Sequence, residues 1–152
     1  MLVEPPVHEI TTDAVFSDAQ SASSAIAGLY SQLMVSNLSF GNGAMTAYLG
    51  LYADELWLPA ASTPLSPFAA SSLATTNSVV RTQFWQKAYE LIYHANACLE
   101  GLEARPGVAE PLQLQYMAEA RLVRAFCYWY LTQLFGDVPL VLTTDYRINA
   151  VM

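Results

Sequence analysis

Charge is the scarcest property of this chain: Asp, Glu, Lys and Arg make up only 12% of its 152 residues, against roughly 25% in ordinary soluble domains. Six Lys plus Arg stand against thirteen Asp plus Glu, a formal net charge of −7. No basic cluster is left to neutralise phosphates, which excludes nucleic-acid binding. The hydrophobic share of 54% excludes a disordered acidic tail as well, since such tails combine low hydrophobicity with high charge. Histidine is limited to His8 and His94, and neither sits beside a carboxylate pair. With no glycine-rich phosphate loop and no nucleophile elbow either, no catalytic residue is expected. Cysteine is limited to Cys98 and Cys127, too few for a disulfide framework and without the spacing of a zinc site, so neither metal nor cofactor is expected. A long apolar run is missing too. The 35 uncharged residues from Ala19 to Ala53 are interrupted by Gln20, Ser21, Ser23, Ser24, Ser31, Gln32, Ser36, Asn37 and Ser39, whereas a membrane-spanning helix needs about 20 mostly apolar residues. The start, Met1-Leu2-Val3-Glu4-Pro5-Pro6, has neither the cationic opening nor the apolar core of a secretion signal.

What is present is helical periodicity. Residues 1–17 read as an extended lead-in, because the Pro5-Pro6 pair restrains its own and the preceding backbone. Residues 18–152 read as one helical domain, a length that suits a single core. Ser17 or Asp18 is placed to cap a first helix, whose Ala22, Ile26, Leu29 and Leu33 share a face and which is expected to end near Asn37. Gly28 inside it costs about 1 kcal/mol relative to alanine, so close approach of a neighbouring helix is expected there. A second helix is expected over 44–58. Pro59, Pro64 and Pro67 then open a polar loop of about 18 residues, a length that is uncommon without function.

The strongest pattern runs from Ser78 to Glu103. Phe84, Ala88, Leu91, Ala95, Cys98 and Leu102 alternate steps of four and three, and Trp85, Tyr89, Ile92, Asn96 and Leu99 form a parallel row. Gln83, Gln86, Lys87, Glu90, His94 and Glu100 fill a solvated face, on which Glu90 is spaced to meet His94. Arg105-Pro106-Gly107 ends the helix. Pro111 suits the first turn of the next one, which Gly136 and Pro139 stop after Phe135. The two helices, each near 40 Å at about 1.5 Å per residue, are expected to pair as an antiparallel hairpin. Residues 122–135 are apolar on almost every face and call for enclosure by protein or lipid.

Each polar or aromatic feature has a structural reading beside a functional one. Glu119, Arg121 and Arg124 are expected to pair with one another or with backbone carbonyls, which offsets their desolvation on an apolar helix. Asn96 reads as a buried amide bonded to loop backbone. Cys98 and Cys127 fall on facing helices and read as small buried hydrophobes, a disulfide being the alternative. Trp85 and Trp129 lie in apolar stripes and are assigned to packing. Sugar binding needs an aromatic face for the apolar surface of the ring and carboxylates or amides for its hydroxyls. Asp54, Glu55 and Trp57, ahead of the long loop, form the one set that meets this need; the other reading puts Trp57 in the core and the acids in a turn.

Glu119-Ala120-Arg121-Leu122-Val123-Arg124-Ala125-Phe126-Cys127-Tyr128, followed by Leu134-Phe135-Gly136-Asp137-Val138-Pro139-Leu140, resembles the signature of the SusD/RagB family, nutrient-binding lipoproteins of the outer membrane of Bacteroidetes. The similarity extends to Glu4-Pro5-Pro6, to Ala25-Ile26-Ala27-Gly28-Leu29-Tyr30, to Asp54-Glu55, and to Trp85, Tyr89, Ile92 and Asn96 at the family's spacing. It implies an all-α fold of tetratricopeptide-like helical hairpins and no catalysis. It also implies capture of glycans or similar nutrients at the cell surface and delivery to a SusC-like TonB-dependent transporter. Family members are several times longer, so the natural chain is expected to continue past Met152 and to carry its lipid-anchoring cysteine upstream. The alternative is a free-standing tetratricopeptide-like adaptor that binds peptides in a helical groove.

Overall fold

The computed structural model describes residues 15–34, 40–59, 64–104 and 107–150. The lead-in up to residue 14, with Glu4-Pro5-Pro6 and His8, lies outside the described residues, as do Asn37 and the Arg105-Pro106 stop. The described residues form an all-α fold of six helical elements. These are α1 (Ala19–Met34), α2 (Met45–Leu49 continuing as Gly50–Tyr52), α3 (Ser66–Ala69), α4 (Val80–Gln86 continuing as Lys87–Ala104), α5 (Glu110–Phe135) and α6 (Tyr146–Asn149). The opening stretches of α2 and α4 are wound as π-helix, the wider i→i+5 form that is often found at functional sites.

Helix starts follow local chemistry. Asp18 caps α1: its Oδ1 accepts from the backbone amides of Gln20 and Ser21, both at 2.9 Å, an arrangement worth about 1 kcal/mol. Asn77 does the same ahead of α4, accepting from Val79 at 3.0 Å and Val80 at 3.1 Å. Pro111 occupies the first turn of α5, and Gly136, at φ +75°, ends that helix with its amide bonded to Thr132.

Helices α4 and α5 form the expected antiparallel hairpin. Trp85 meets Phe135 edge to face at 5.1 Å, Arg124 reaches Asn96, and Arg121 lies 3.7 Å from Glu103. The first residues of one helix thus face the last of the other. Helix α1 lays Ala22, Ile26 and Leu29 on this pair. Phe16, just before α1, packs on Gly101, where a side chain would leave no room for the ring. Cys98 and Cys127 are free thiols inside the core, and burial pushes them up to about 11 and about 12 respectively. They serve as small hydrophobes.

At the centre stands one buried polar residue, the only one among the described residues. Asn96 is fully buried; its Nδ2 donates to the Val141 carbonyl at 3.0 Å and its Oδ1 accepts from Arg124 at 2.8 Å. Val141 is held a second time, since its amide donates to the Tyr128 hydroxyl at 2.6 Å. Tyr89 donates to the Pro139 carbonyl at 2.8 Å. Further along, the Glu100 carboxylate accepts from the Thr143 hydroxyl at 2.7 Å, from the Thr144 amide at 2.9 Å and from the Thr144 hydroxyl. Burial pushes the Glu100 carboxyl up, but the hydrogen bonds from Thr144 and Thr143 outweigh it and hold the group below its ordinary value. The segment after α5 is therefore bound along the hairpin by its backbone.

Several expectations are corrected. Gly28 is exposed and has nothing within 4 Å of where a Cβ would stand, because α1 meets its neighbours through the face of Ala22, Ile26 and Leu29. The second helix stops at Tyr52, well short of residue 58. The polar loop is not structureless: Ser66–Ala69 forms a turn of helix that seats Phe68 against Tyr48 and Phe84. Glu90 pairs with Lys87 at 2.9 Å rather than with His94. Trp129 is not buried: its ring meets Tyr130 at 4.7 Å, but it is 57% exposed, as Leu122 is 64% exposed, so the apolar stretch 122–135 keeps an open face among the described residues. Glu119, Arg121 and Arg124 do not pair with one another, since each points to a different neighbour: Glu119 to Gln115 and Tyr30, Arg121 to Glu103, Arg124 to Asn96.

Replacing Asn96 by Ala takes the acceptor from the half-buried Arg124 guanidinium and leaves the Val141 carbonyl with the Tyr128 hydroxyl alone, at 3.0 Å, at a cost of about 2–3 kcal/mol. For a domain of this size that is a fall in Tm of roughly 4–12 °C, measurable by thermal melting. A change within 1 °C would show that the amide does not hold the hairpin.

Candidate functional site

The candidate set Asp54, Glu55 and Trp57 sits on the turn that follows α2. The chain reverses there because Gly50, buried at the start of the last helical turn, lets the following residues fold back over it. A Cβ on Gly50 would lie 2.9 Å from Leu56 Cδ1. The Gly50 carbonyl accepts from two amides, Glu55 at 2.8 Å and Leu56 at 3.0 Å. Asp54 provides the change of direction by taking φ +58°, a left-handed conformation that Asn and Asp adopt more readily than other residues with a side chain. Leu58 returns to the core.

Trp57 is left outside, 82% exposed. It does not pack in the core, so an indole lies open to solvent beside two exposed carboxylates, Asp54 and Glu55. An exposed indole on a fastened turn offers a flat apolar face at little entropic cost. The carboxylates beside it are hydrogen-bond acceptors, which sugar hydroxyls can satisfy as donors. No group of three His, Cys, Asp or Glu side chains able to hold a metal occurs among the described residues.

The other residues singled out by sequence have structural surroundings. Arg124 serves Asn96, and Glu119 meets Tyr30, whose hydroxyl is pushed up by burial and by that carboxylate. Gly136 ends α5, and the Pro139 carbonyl anchors Tyr89. Tyr89 itself is pushed up to about 12 by burial. Asp137 is exposed.

Sequence reasoning missed two clefts beside the π-wound start of α4. The larger, of about 460 Å³, is lined by Thr75, Thr76, Val80, Arg81, Trp85 and Phe135. Its neighbour, about 320 Å³, shares Val80 and Phe135 and reaches Tyr52, the last residue of α2. Arg81 next to an aromatic row was a visible signal, but the return of the Thr75-Thr76 turn to that row was not.

A helical scaffold that displays aromatic and polar groups on its turns is the class these features define. A family profile for SusD-like proteins, described as starch-binding and associating with the outer membrane, matches residues 64–151. The match covers more than half of the chain, and the chain belongs to this SusD-like family. A curated relative, SusD-like protein P25 of Formosa agariphila, is 27% identical over 144 residues, which is 91% of this chain and 27% of the relative. The chain thus spans about a quarter of that relative's length. No solved structure matches it. Asp54, Glu55 and Trp57 precede the residues matched by the family profile, whereas Arg81 and Trp85 fall within them.

The left-handed backbone at Asp54 makes a clear prediction for this turn. Asp54→Gly should leave stability unchanged or raise it slightly, while Asp54→Val should lower it by about 1–2 kcal/mol. Urea unfolding of both variants checks this; equal stabilities would mean that the turn does not need the positive φ.

Proposed function

We propose that this chain is the N-terminal helical part of a SusD-like outer-membrane nutrient-binding lipoprotein. In this reading the protein captures glycan at the cell surface and delivers it to a SusC-like TonB-dependent transporter. Trp57 stacks on the apolar face of a sugar, and Asp54 and Glu55 accept hydrogen bonds from its hydroxyls. The helical hairpin contributes scaffold and partner contacts. Membership of a family described as starch-binding and associating with the outer membrane supports the nutrient class and the location.

The single observation that carries the binding role is the 82% exposure of Trp57 on a turn tied back to Gly50. A large aromatic held outside a packed fold is poor economy for solubility and apt for contact with a partner or ligand. Tyr30, Met34 and Leu122 line an apolar groove on the other side of α1, a surface suited to further protein. The lipid anchor belongs to the whole protein and is the link to the membrane; no helix among the described residues is long and apolar enough to cross one.

The test is Trp57→Ala in the complete protein, titrated calorimetrically with soluble starch-derived and other oligosaccharides. Affinity for the glycan that binds best should fall at least tenfold, with Tm unchanged because the indole is outside the core. Unchanged affinity in a folded variant would reject Trp57 as a contact.

A further inference from the structure

The described residues include five cations, and four of them are engaged. Lys87 pairs with Glu90 at 2.9 Å, Arg121 with Glu103 at 3.7 Å, Arg147 with Asp145 at 2.7 Å, and Arg124 donates to Asn96 at 2.8 Å. Among the described residues Arg81 alone has a side chain with no carboxylate, amide or ring partner. This is unexpected in a chain of net charge −7, where acidic groups outnumber basic ones by more than two to one. Arg81 is also one of the residues lining the 460 Å³ cleft.

The cleft has the composition of a ligand site: apolar and aromatic walls with a few convergent polar groups. Trp85 and Phe135, packed edge to face at 5.1 Å, provide a rigid aromatic wall. Thr75 and Thr76 provide hydroxyls that make no hydrogen bond within the described protein. The amide caps at Asn77 fix the backbone between those threonines and Arg81. The second cleft continues from the shared Val80 and Phe135 to Tyr52, two residues before the turn that displays Trp57. The furrow therefore runs from Tyr52 to the free guanidinium.

We propose that this cleft is a subsite for an acidic sugar, in which Arg81 binds a uronate carboxylate and Trp85 lies along the ring. The inference rests on the glycan-binding reading above and adds charge selectivity to it. Guanidinium is suited to the task because its planar fork meets a carboxylate with two parallel hydrogen bonds. The threonine hydroxyls bond the ring hydroxyls. A neutral sugar gains only the wall and the threonines, so Arg81 discriminates between otherwise similar saccharides.

The experiment compares trigalacturonate with maltotriose by calorimetric titration of the complete protein and of Arg81→Gln and Arg81→Lys. The wild type is expected to bind trigalacturonate more tightly than maltotriose. Arg81→Gln should weaken trigalacturonate at least tenfold, leave maltotriose within twofold and keep the Tm, since Arg81 is exposed; Arg81→Lys should recover part of the loss by retaining the charge. Maltotriose binding without preference for trigalacturonate, or trigalacturonate binding indifferent to Arg81→Gln, overturns the acidic subsite and leaves glycan capture standing. Binding of neither saccharide counts against both.

Discussion

The described fold depends on one buried amide. Asn96 sits where α4, α5 and the segment after α5 meet, and it is the only polar residue among the described residues that is fully buried. An amide in an apolar interior is stable only when its donor and acceptor are both used. Here the donor is spent on Val141 and the acceptor on Arg124. The same contacts give Arg124 a reason to lie on an otherwise apolar helix and give an irregular segment a fixed course. Apolar packing alone would bring two long helices together, but it would not dictate where the chain beyond them runs.

That course has consequences for the surface. With Val141 and the Pro139 carbonyl held by Tyr128, Asn96 and Tyr89, the end of α5 is pinned so that Phe135 faces Trp85. This contact forms one wall of the furrow beside the π-wound start of α4. The opposite wall comes from the turn that Asn77 caps. Away from this furrow, the Gly50 reversal puts Trp57 outside. The Asn96 node and the displayed turn are thus separate pieces of chemistry: one is closed and satisfied, the other open and unpaired.

Much of the scaffold was legible from residue spacing. The rows of Phe84 and Trp85 through Leu102, the proline at the start of α5, the glycine at its end and the cap at Asp18 are local signals, each set by a few neighbouring residues. Asn96 was legible as a buried amide because it falls inside an apolar row. What was not legible depends on local conformation that leaves the apolar pattern unchanged, or on contacts distant in sequence. Neither the left-handed backbone at Asp54 nor the fold-back over Gly50 changes the apolar pattern of 44–58, so that stretch reads as one helix. Trp129 lies in a run with no polar side, and periodicity cannot say which face of such a run stays open. Gly28 looked like a close approach, but the face that α1 buries passes beside it. At the candidate site, the residue types at Asp54, Glu55 and Trp57 were readable; the cleft at Arg81 needed the Thr75-Thr76 turn to return to α4.

Family membership agrees with this division of labour. The profile match covers α3 to α6 and includes the Asn96 node and the Arg81 cleft, whereas the Trp57 turn lies ahead of it. The most direct measurement of the central role given to Asn96 is native-state hydrogen exchange at the Val141 amide, which donates to Tyr128. It should exchange as slowly as the core amides of α4, at the rate of global unfolding. Exchange at the rate of an exposed loop would mean that the segment is not bound to the hairpin, and that Asn96 does not organise the fold.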